Sequence, residues 1–462
     1  MPATLRLSVR RAFAAFAACA IPTVFAADVP PTVTPAPVTA IKAGKLIDVA
    51  TGRVRDNQVI IVQGGKISAV GAAGTTVVPP GATVIDLSSK TVLPGLIDTH
   101  THVTGDPTTP PYHGYGISIP REALMGARFG RETLLSGVTT IRNVGASGYT
   151  DVALRDAIND GDVIGPRILA SGPALGITGG HCDSNMLAPE FHEQAEGVAD
   201  GPVAVRAMVR KNVKYGADVI KYCGTGGVFS KGTRVGAQQY TPEEVAAIVD
   251  EAHMHGRKVA VHAHGANGIK VALKAGVDTI EHASLIDQEG LDLAKKTGAF
   301  LSMDIFNTEY TQSEGPRRGE MEEFLRKDRE VAQAQRDNFQ KAVQMGIKLT
   351  MGTDTGVHPH KDAPKQLAYM VQYGMTPMQA IQAATKVGAE ALGIDAEVGQ
   401  IAPGYSADIV AVTRDPLTDI HALDAVEFDD ALELGAFFQN HRDRKAHGNP
   451  PRNIASAHRH AD

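Results

Sequence analysis

Two His-x-His pairs stand out in this 462-residue chain, His100-Thr101-His102 and His262-Ala263-His264. Lys221 and His282 each close a short apolar run of the kind that forms a buried strand, and Asp354 follows another such run. A lone histidine at such a place is more often structural, and alternation along a strand yields one His-x-His by chance. The joint pattern carries more. His100, His102, Lys221, His262, His282 and Asp354 fall at the ends of five strands and would crowd one mouth, where unpaired charge is costly. Divalent cations offset that cost. Imidazole nitrogens and carboxylate oxygens without thiolates suit Zn²⁺ or its neighbours in an open, catalytic site.

Such residues meet only if a repeating scaffold brings strand ends together. From residue 93 the chain alternates apolar runs with amphipathic patterns. Strands are expected at 95–99, 139–143, 167–171, 219–222, 258–262, 279–282, 299–303 and 348–352. Helical patterns include 120–135, 202–215, 242–255, 266–275 and a charged stretch at 317–345, followed by 363–373 and 377–392. Strands apolar on both faces and separated by helices imply a parallel sheet, and eight of them close a (β/α)8 TIM barrel, an α/β fold with active residues at the C-terminal strand ends. Before the barrel lie β-like runs at 40–47, 58–63, 66–71 and 83–86, and β character returns at 408–413. The division expected is a barrel at 93–403 with a small flanking β-sandwich built from 40–92 and 404–445.

The ends read differently. Arg6, Arg10 and Arg11 precede the apolar run 12–19, and Val24-Phe25-Ala26 offers a small-residue cleavage site. Residues 1–26 therefore read as a signal peptide that directs the chain to the periplasm or outside the cell. Arg10-Arg11-Ala12-Phe13 also resembles a twin-arginine signal, so general and folded-state export both stay open. A Pro-rich linker (27–39) follows, and the polar tail 446–462 carries His447, His458 and His460. The net charge is −6 with no run of one sign, which argues against nucleic-acid binding. No stretch of 18 uninterrupted apolar residues is present to span a membrane. Three cysteines exclude a disulfide framework, and Cys182 and Cys223, which remain after leader cleavage, read as two buried thiols.

Three further side chains lie where a substrate could reach: His181 in Gly179-Gly180-His181-Cys182, Tyr222 beside Lys221, and His264. Gly224-Thr225-Gly226-Gly227 reads as a flexible loop over the mouth and lacks the ending of a phosphate-binding loop.

Residues 92–102, Val-Leu-Pro-Gly-Leu-Ile-Asp-Thr-His-Thr-His, resemble the first-strand signature of the amidohydrolase superfamily. Gly352-Thr353-Asp354 resembles its eighth-strand aspartate motif, and Gly399–Val410 its return into the flanking β module. Lys221-Tyr222 and Val261-His262-Ala263-His264-Gly265 resemble the secreted, prolidase-like branch, which includes ochratoxin-degrading amidohydrolases. The resemblance implies two divalent metal ions, of which Zn²⁺ is the expected kind. His100, His102 and Asp354 would hold one, His262 and His282 the other, and Lys221, carboxylated by CO₂, would bridge them. Exchange of His262 with His264 is the open alternative. The implied activity is hydrolysis of an amide to a C-terminal amino acid in an N-acyl amino acid, an Xaa-Pro-type dipeptide or an ochratoxin-like molecule. Asp354 would carry the proton. Hydrolysis of cyclic amides or lactones is the runner-up, and a non-catalytic scaffold the third reading. The resemblance also implies a homo-oligomer, with an octamer among its forms.

Overall fold

The computed structural model describes residues 36–424 and residue 426. The expected leader, most of the linker, the later part of the flanking module and the histidine-bearing tail lie outside the described residues. Strands β1 (Val38–Asp48), β2 (Arg53–Gln63), β3 (Lys66–Ala72) and β4 (Thr83–Pro94) open the fold. The barrel strands are β5 (Leu96–Thr101), β6 (Val138–Asn143), β7 (Arg167–Ala170), β8 (Val219–Cys223), β9 (Lys258–Gly265), β10 (Thr279–Leu285), β11 (Phe300–Ser302) and β12 (Leu349–Thr350). β13 (Ile409–Val412) returns to the first module. Among the described residues that module is one mixed sheet in the order β13-β4-β1-β2-β3.

The eight barrel strands run parallel to their neighbours in two sets, β5-β6-β7 and β8 to β12. Backbone bonds cross both seams. At one, the Leu175 amide donates to the Lys221 carbonyl (2.8 Å) and the Cys223 amide to the Leu175 carbonyl (2.8 Å). At the other, the Thr99 amide donates to Met351 O (2.9 Å) and the His102 amide to Thr355 O (2.7 Å). The ring is therefore a (β/α)8 barrel. β5, β6 and β8 are buried along their whole length, because helices cover the face that points away from the barrel axis. Gly95 joins β4 to β5, and a Cβ there would overlap the Thr139 side chain.

Two helical expectations need correction. The helix expected at 317–345 begins at Glu322 and runs to Met345, while residues 317–318 end a separate helix, Asn307–Arg318, closed by Gly319 with a left-handed φ of 81°. The stretch at 377–392 also divides, into Pro377–Ala383 and Lys386–Leu392, around the non-helical Thr385.

The cysteines need correction too. Cys182 and Cys223 form a disulfide, with Cα atoms 5.9 Å apart, which ties the loop after β7 to the end of β8. The bridge spans 41 residues, and closing a loop of that size in the unfolded chain stabilises the fold by about 2–4 kcal/mol. Replacing both cysteines by serine should lower unfolding stability by that amount, and adding reductant should do the same to the unaltered protein. Denaturation midpoints indifferent to both changes would show that the bridge contributes nothing.

Candidate active site

The C-terminal strand ends open into a cavity of about 130 Å³. Donor atoms of His100, His102 and Asp354 lie within 4.8 Å of one another, as do those of His262, His264 and His282, and those of His282, Asp304 and Asp354. The groups are contiguous, since His282 and Asp354 each belong to two. His100 Nε2 and His102 Nε2 approach Asp354 Oδ1 at 3.3 and 3.4 Å. β9 runs beyond the expected strand end, so His264 is still on the strand and shares a face with His262. Lys221 lines the same cavity, 3% exposed, with no hydrogen bond or ion pair among the described residues.

Burial lowers most bases of the cluster, although at His100 it is outweighed by Asp354 and Glu281, which raise that ring to about 9. Burial pulls the Lys221 ammonium down to about 8 against the opposing pull of Glu281 and Asp354. It holds His262 and His264 well below the usual imidazole range, helped by His181 and His282 beside the first and by His282 beside the second. His102 falls to about 4 for the same principal reason. Neutral imidazole is the form that ligates a metal. His262 Nε2 is buried without a hydrogen-bond partner, an unsatisfied lone pair or proton in a polar site.

A supporting layer orients these rings. His100 Nδ1 pairs with Glu281 Oε2 at 3.0 Å, and Glu281 Oε1 accepts from Arg142 Nη2 at 2.7 Å. His282 Nδ1 pairs with Asp304 Oδ1 at 2.9 Å. Asn307 Nδ2 donates to Asp304 Oδ2 and to Asp354 Oδ2, both at 3.1 Å. Carboxylates behind the rings leave each Nε2 facing the cavity, an arrangement typical of metal-binding histidines. Glu281, Asp304 and Asn307 were not among the sequence candidates. Asp304 had a signal, since it follows the seventh strand, whose end carried no assigned residue. Glu281 had none: alternation sets it opposite His282. The backbone overrides alternation there, with φ of 69° at His282 and 49° at Ala283. Asp354 also has positive φ, 59°. Such conformations cost about 1–3 kcal/mol each outside glycine and persist where the surroundings enforce them.

The expected substrate residues divide. His181 lines the cavity, its ring stacked on His262 with centroids 4.0 Å apart and its Nδ1 2.9 Å from Ser230 Oγ. His264 lines it too, with Nδ1 2.9 Å from Ser284 Oγ. Tyr222 does not. It follows Lys221 on a regular strand, so its ring points to the opposite face, into the apolar layer near Tyr240. The glycine loop is pinned by amide bonds from Gly226 to Ala237 O and from Gly236 to Gly226 O (both 2.8 Å), and it delivers Val228 and Phe229 to the cavity wall.

A barrel whose mouth gathers groups able to hold a metal ion is an architecture of hydrolases. The profile of the amidohydrolase family matches residues 91–435, and the chain belongs to that family. It is 33% identical to the ochratoxinase of Aspergillus niger over 410 residues, 83% of each chain. The crystal structure of A. niger ochratoxinase superposes with a TM-score of 0.74 over 85% of this chain and 93% of that one, at 31% identity. A Xaa-Pro dipeptidase solved with methionine in its active site superposes with a TM-score of 0.80 at 38% identity, over 84% of this chain and 97% of that one. The chain is thus an amide-hydrolysing enzyme of this family.

Glu281 and Arg142 are both fully buried. Glu281→Gln should cost about 3–5 kcal/mol of stability, because it strands a buried guanidinium. Chemical denaturation of the metal-free protein measures this, and a loss under about 1 kcal/mol would mean that the pair is not the counter-charge it looks to be.

Proposed function

We propose that the protein is a binuclear metal-dependent amidohydrolase that releases a C-terminal amino acid from an N-acyl amino acid or dipeptide. The observation that carries this reading is the buried Lys221, unpaired among the described residues, lining one cavity with three overlapping ligand groups. The donor set fits the metals: imidazoles and carboxylates within 4.8 Å of each other, and a buried His262 Nε2 that lacks any partner. His100, His102 and Asp354 would hold one ion and His262 and His282 the other. Lys221 would bridge them as a carbamate, formed when its free amine adds CO₂ and releases a proton. Burial favours that free amine. Divalent ions held there would polarise the scissile carbonyl and acidify water towards neutral pH.

The chain's own groups do the rest. Asp354, steadied by the Asn307 amide, accepts the proton of the attacking water and returns it to the leaving amine. His181 and His264 have Nδ1 committed to Ser230 and Ser284, which leaves Nε2 of each for the substrate carboxylate. The methionine bound in the active site of the dipeptidase relative supports an amino-acid leaving group. The Cys182–Cys223 bridge supports export to an oxidising compartment, in keeping with the leader.

Chelation should abolish activity, and Zn²⁺ or a similar cation should restore it; full activity in metal-free protein would sink the mechanism. Lys221→Ala should lose metal and activity together, with short carboxylic acids restoring part of both. His262→Ala should lose metal, whereas His264→Ala should keep it and raise KM, and the reverse would exchange their roles. Free-acid substrates should react far faster than their C-terminal amides. Equal kcat/KM for acid and amide would remove the carboxylate clamp.

A further inference from the structure

The cavity has a chemical polarity that catalysis does not account for. One wall is imidazole: His181, His262 and His264, all held neutral by burial. The wall contributed by helices Asn307–Arg318 and Glu322–Met345 has no cation among its lining residues, and two of its acceptors stand out, Asp328 and Asn307 Oδ1. Asp328, 6% exposed, lines it. Its Oδ1 accepts from Thr308 Oγ1 (2.9 Å) and its Oδ2 from Gln312 Nε2 (2.7 Å), both neutral donors. Among the described residues no cation lies within ion-pair distance of it. Arg336, which acts on it from further off, is paired with Glu309. A buried carboxylate without a counter-ion is expensive, and two neutral hydrogen bonds cover only part of that expense.

A second, independent group on the same wall is short of a partner. Asn307 Nδ2 donates to two carboxylates, which fixes the orientation of the amide, since neither carboxylate could accept from a carbonyl. Asn307 Oδ1 is thereby left buried with no donor. Asn307 precedes Thr308, the residue that bonds Asp328, and both line the cavity. Phe229 and Val331 supply apolar surface beside them.

We propose that Asp328 and Asn307 Oδ1 form a subsite for the α-ammonium group of the residue on the acyl side of the scissile amide. The preferred substrates are then dipeptides with a free N-terminus, above N-acyl amino acids that lack the charge. The inference rests on the amidohydrolase reading given above. An ammonium group supplies three donors and a positive charge, which the acceptor wall lacks. The same wall repels a carboxylate, so a zwitterionic dipeptide enters with its C-terminus toward the imidazoles and its N-terminus toward Asp328. Phe229 and Val331 would then flank the side chain of the N-terminal residue.

The test uses full-length, metal-loaded protein and pairs of substrates that differ only in the ammonium group: L-alanyl-L-phenylalanine against N-propanoyl-L-phenylalanine, and L-alanyl-L-proline against N-propanoyl-L-proline. The unaltered protein should favour the dipeptide in kcat/KM by about tenfold or more, the scale of a hydrogen bond to a charged group. In Asp328→Asn the ratio within each pair should collapse towards one, through the dipeptide's KM more than its kcat. A ratio near one in the unaltered protein overturns the proposal without need of any variant. A ratio that Asp328→Asn leaves intact while both rates fall alike also overturns it, because the carboxylate would then merely join two helices. If no member of either pair is hydrolysed, the amidohydrolase reading fails instead.

Discussion

Charge balance in a shielded cavity governs this structure. His100, His102, His181, His262, His264 and His282 meet there with Asp304, Asp354 and Lys221, and Glu281 and Arg142 lie directly behind. Neighbouring imidazole centroids are 4.0 to 5.6 Å apart, too close for adjacent rings to be charged together at tolerable cost. The carboxylates sort themselves accordingly. Glu281 takes Arg142 and His100, and Asp304 takes His282. Lys221 and His262 Nε2 stay unmatched among the described residues. Burial weakens the hold of Lys221 on its proton, and the proposed metal ions and carbamate would use that amine together with the His262 ring nitrogen.

Holding those groups in place costs backbone strain. His282, Ala283 and Asp354 are non-glycine residues in the left-handed region, and each is tied into the barrel. The Asp354 amide bonds to His100 O (2.8 Å), while Asp98 Oδ1 accepts from the His100 and Thr353 amides at 3.1 Å each. The closed ring of strands is what makes such strain affordable: a bend at one strand end cannot relax without breaking bonds to both neighbours.

Much of this was legible in the sequence, for a physical reason. Parallel strands buried on both faces are short apolar runs, and their ends are where an ionisable residue first becomes tolerable. Eight runs therefore mark the barrel, and the residues closing them mark the mouth. Legibility failed where the backbone left its regular period. Glu281 and His282 should oppose each other, yet two positive φ values put both to use around the cavity. Tyr222 failed for the converse reason, since the strand at Lys221 stays regular and sends the next side chain outward. Asp304 and Asn307 follow a strand of only three residues, and no periodicity reaches them. The Cys182–Cys223 pairing joins a loop to a strand end, a contact that spacing alone does not encode.

The cavity's two jobs hang on different parts of the chain. The metal-competent groups sit on or just past strands bonded to both neighbours, so their positions follow from the barrel itself. The acceptor wall and the apolar patch come instead from a pinned glycine loop and from two helices interrupted at Gly319. Loops and peripheral helices tolerate change that a strand ring does not, because their hydrogen bonds are local. Altering Phe229, Asp328 or Val331 reshapes what the cavity accepts and leaves the ring bonds intact. Altering His282 or Asp354 disturbs residues that bond across the barrel. A family with members such as an ochratoxinase and a Xaa-Pro dipeptidase can thus keep its strand ring while loops and helices reshape the rest of the cavity.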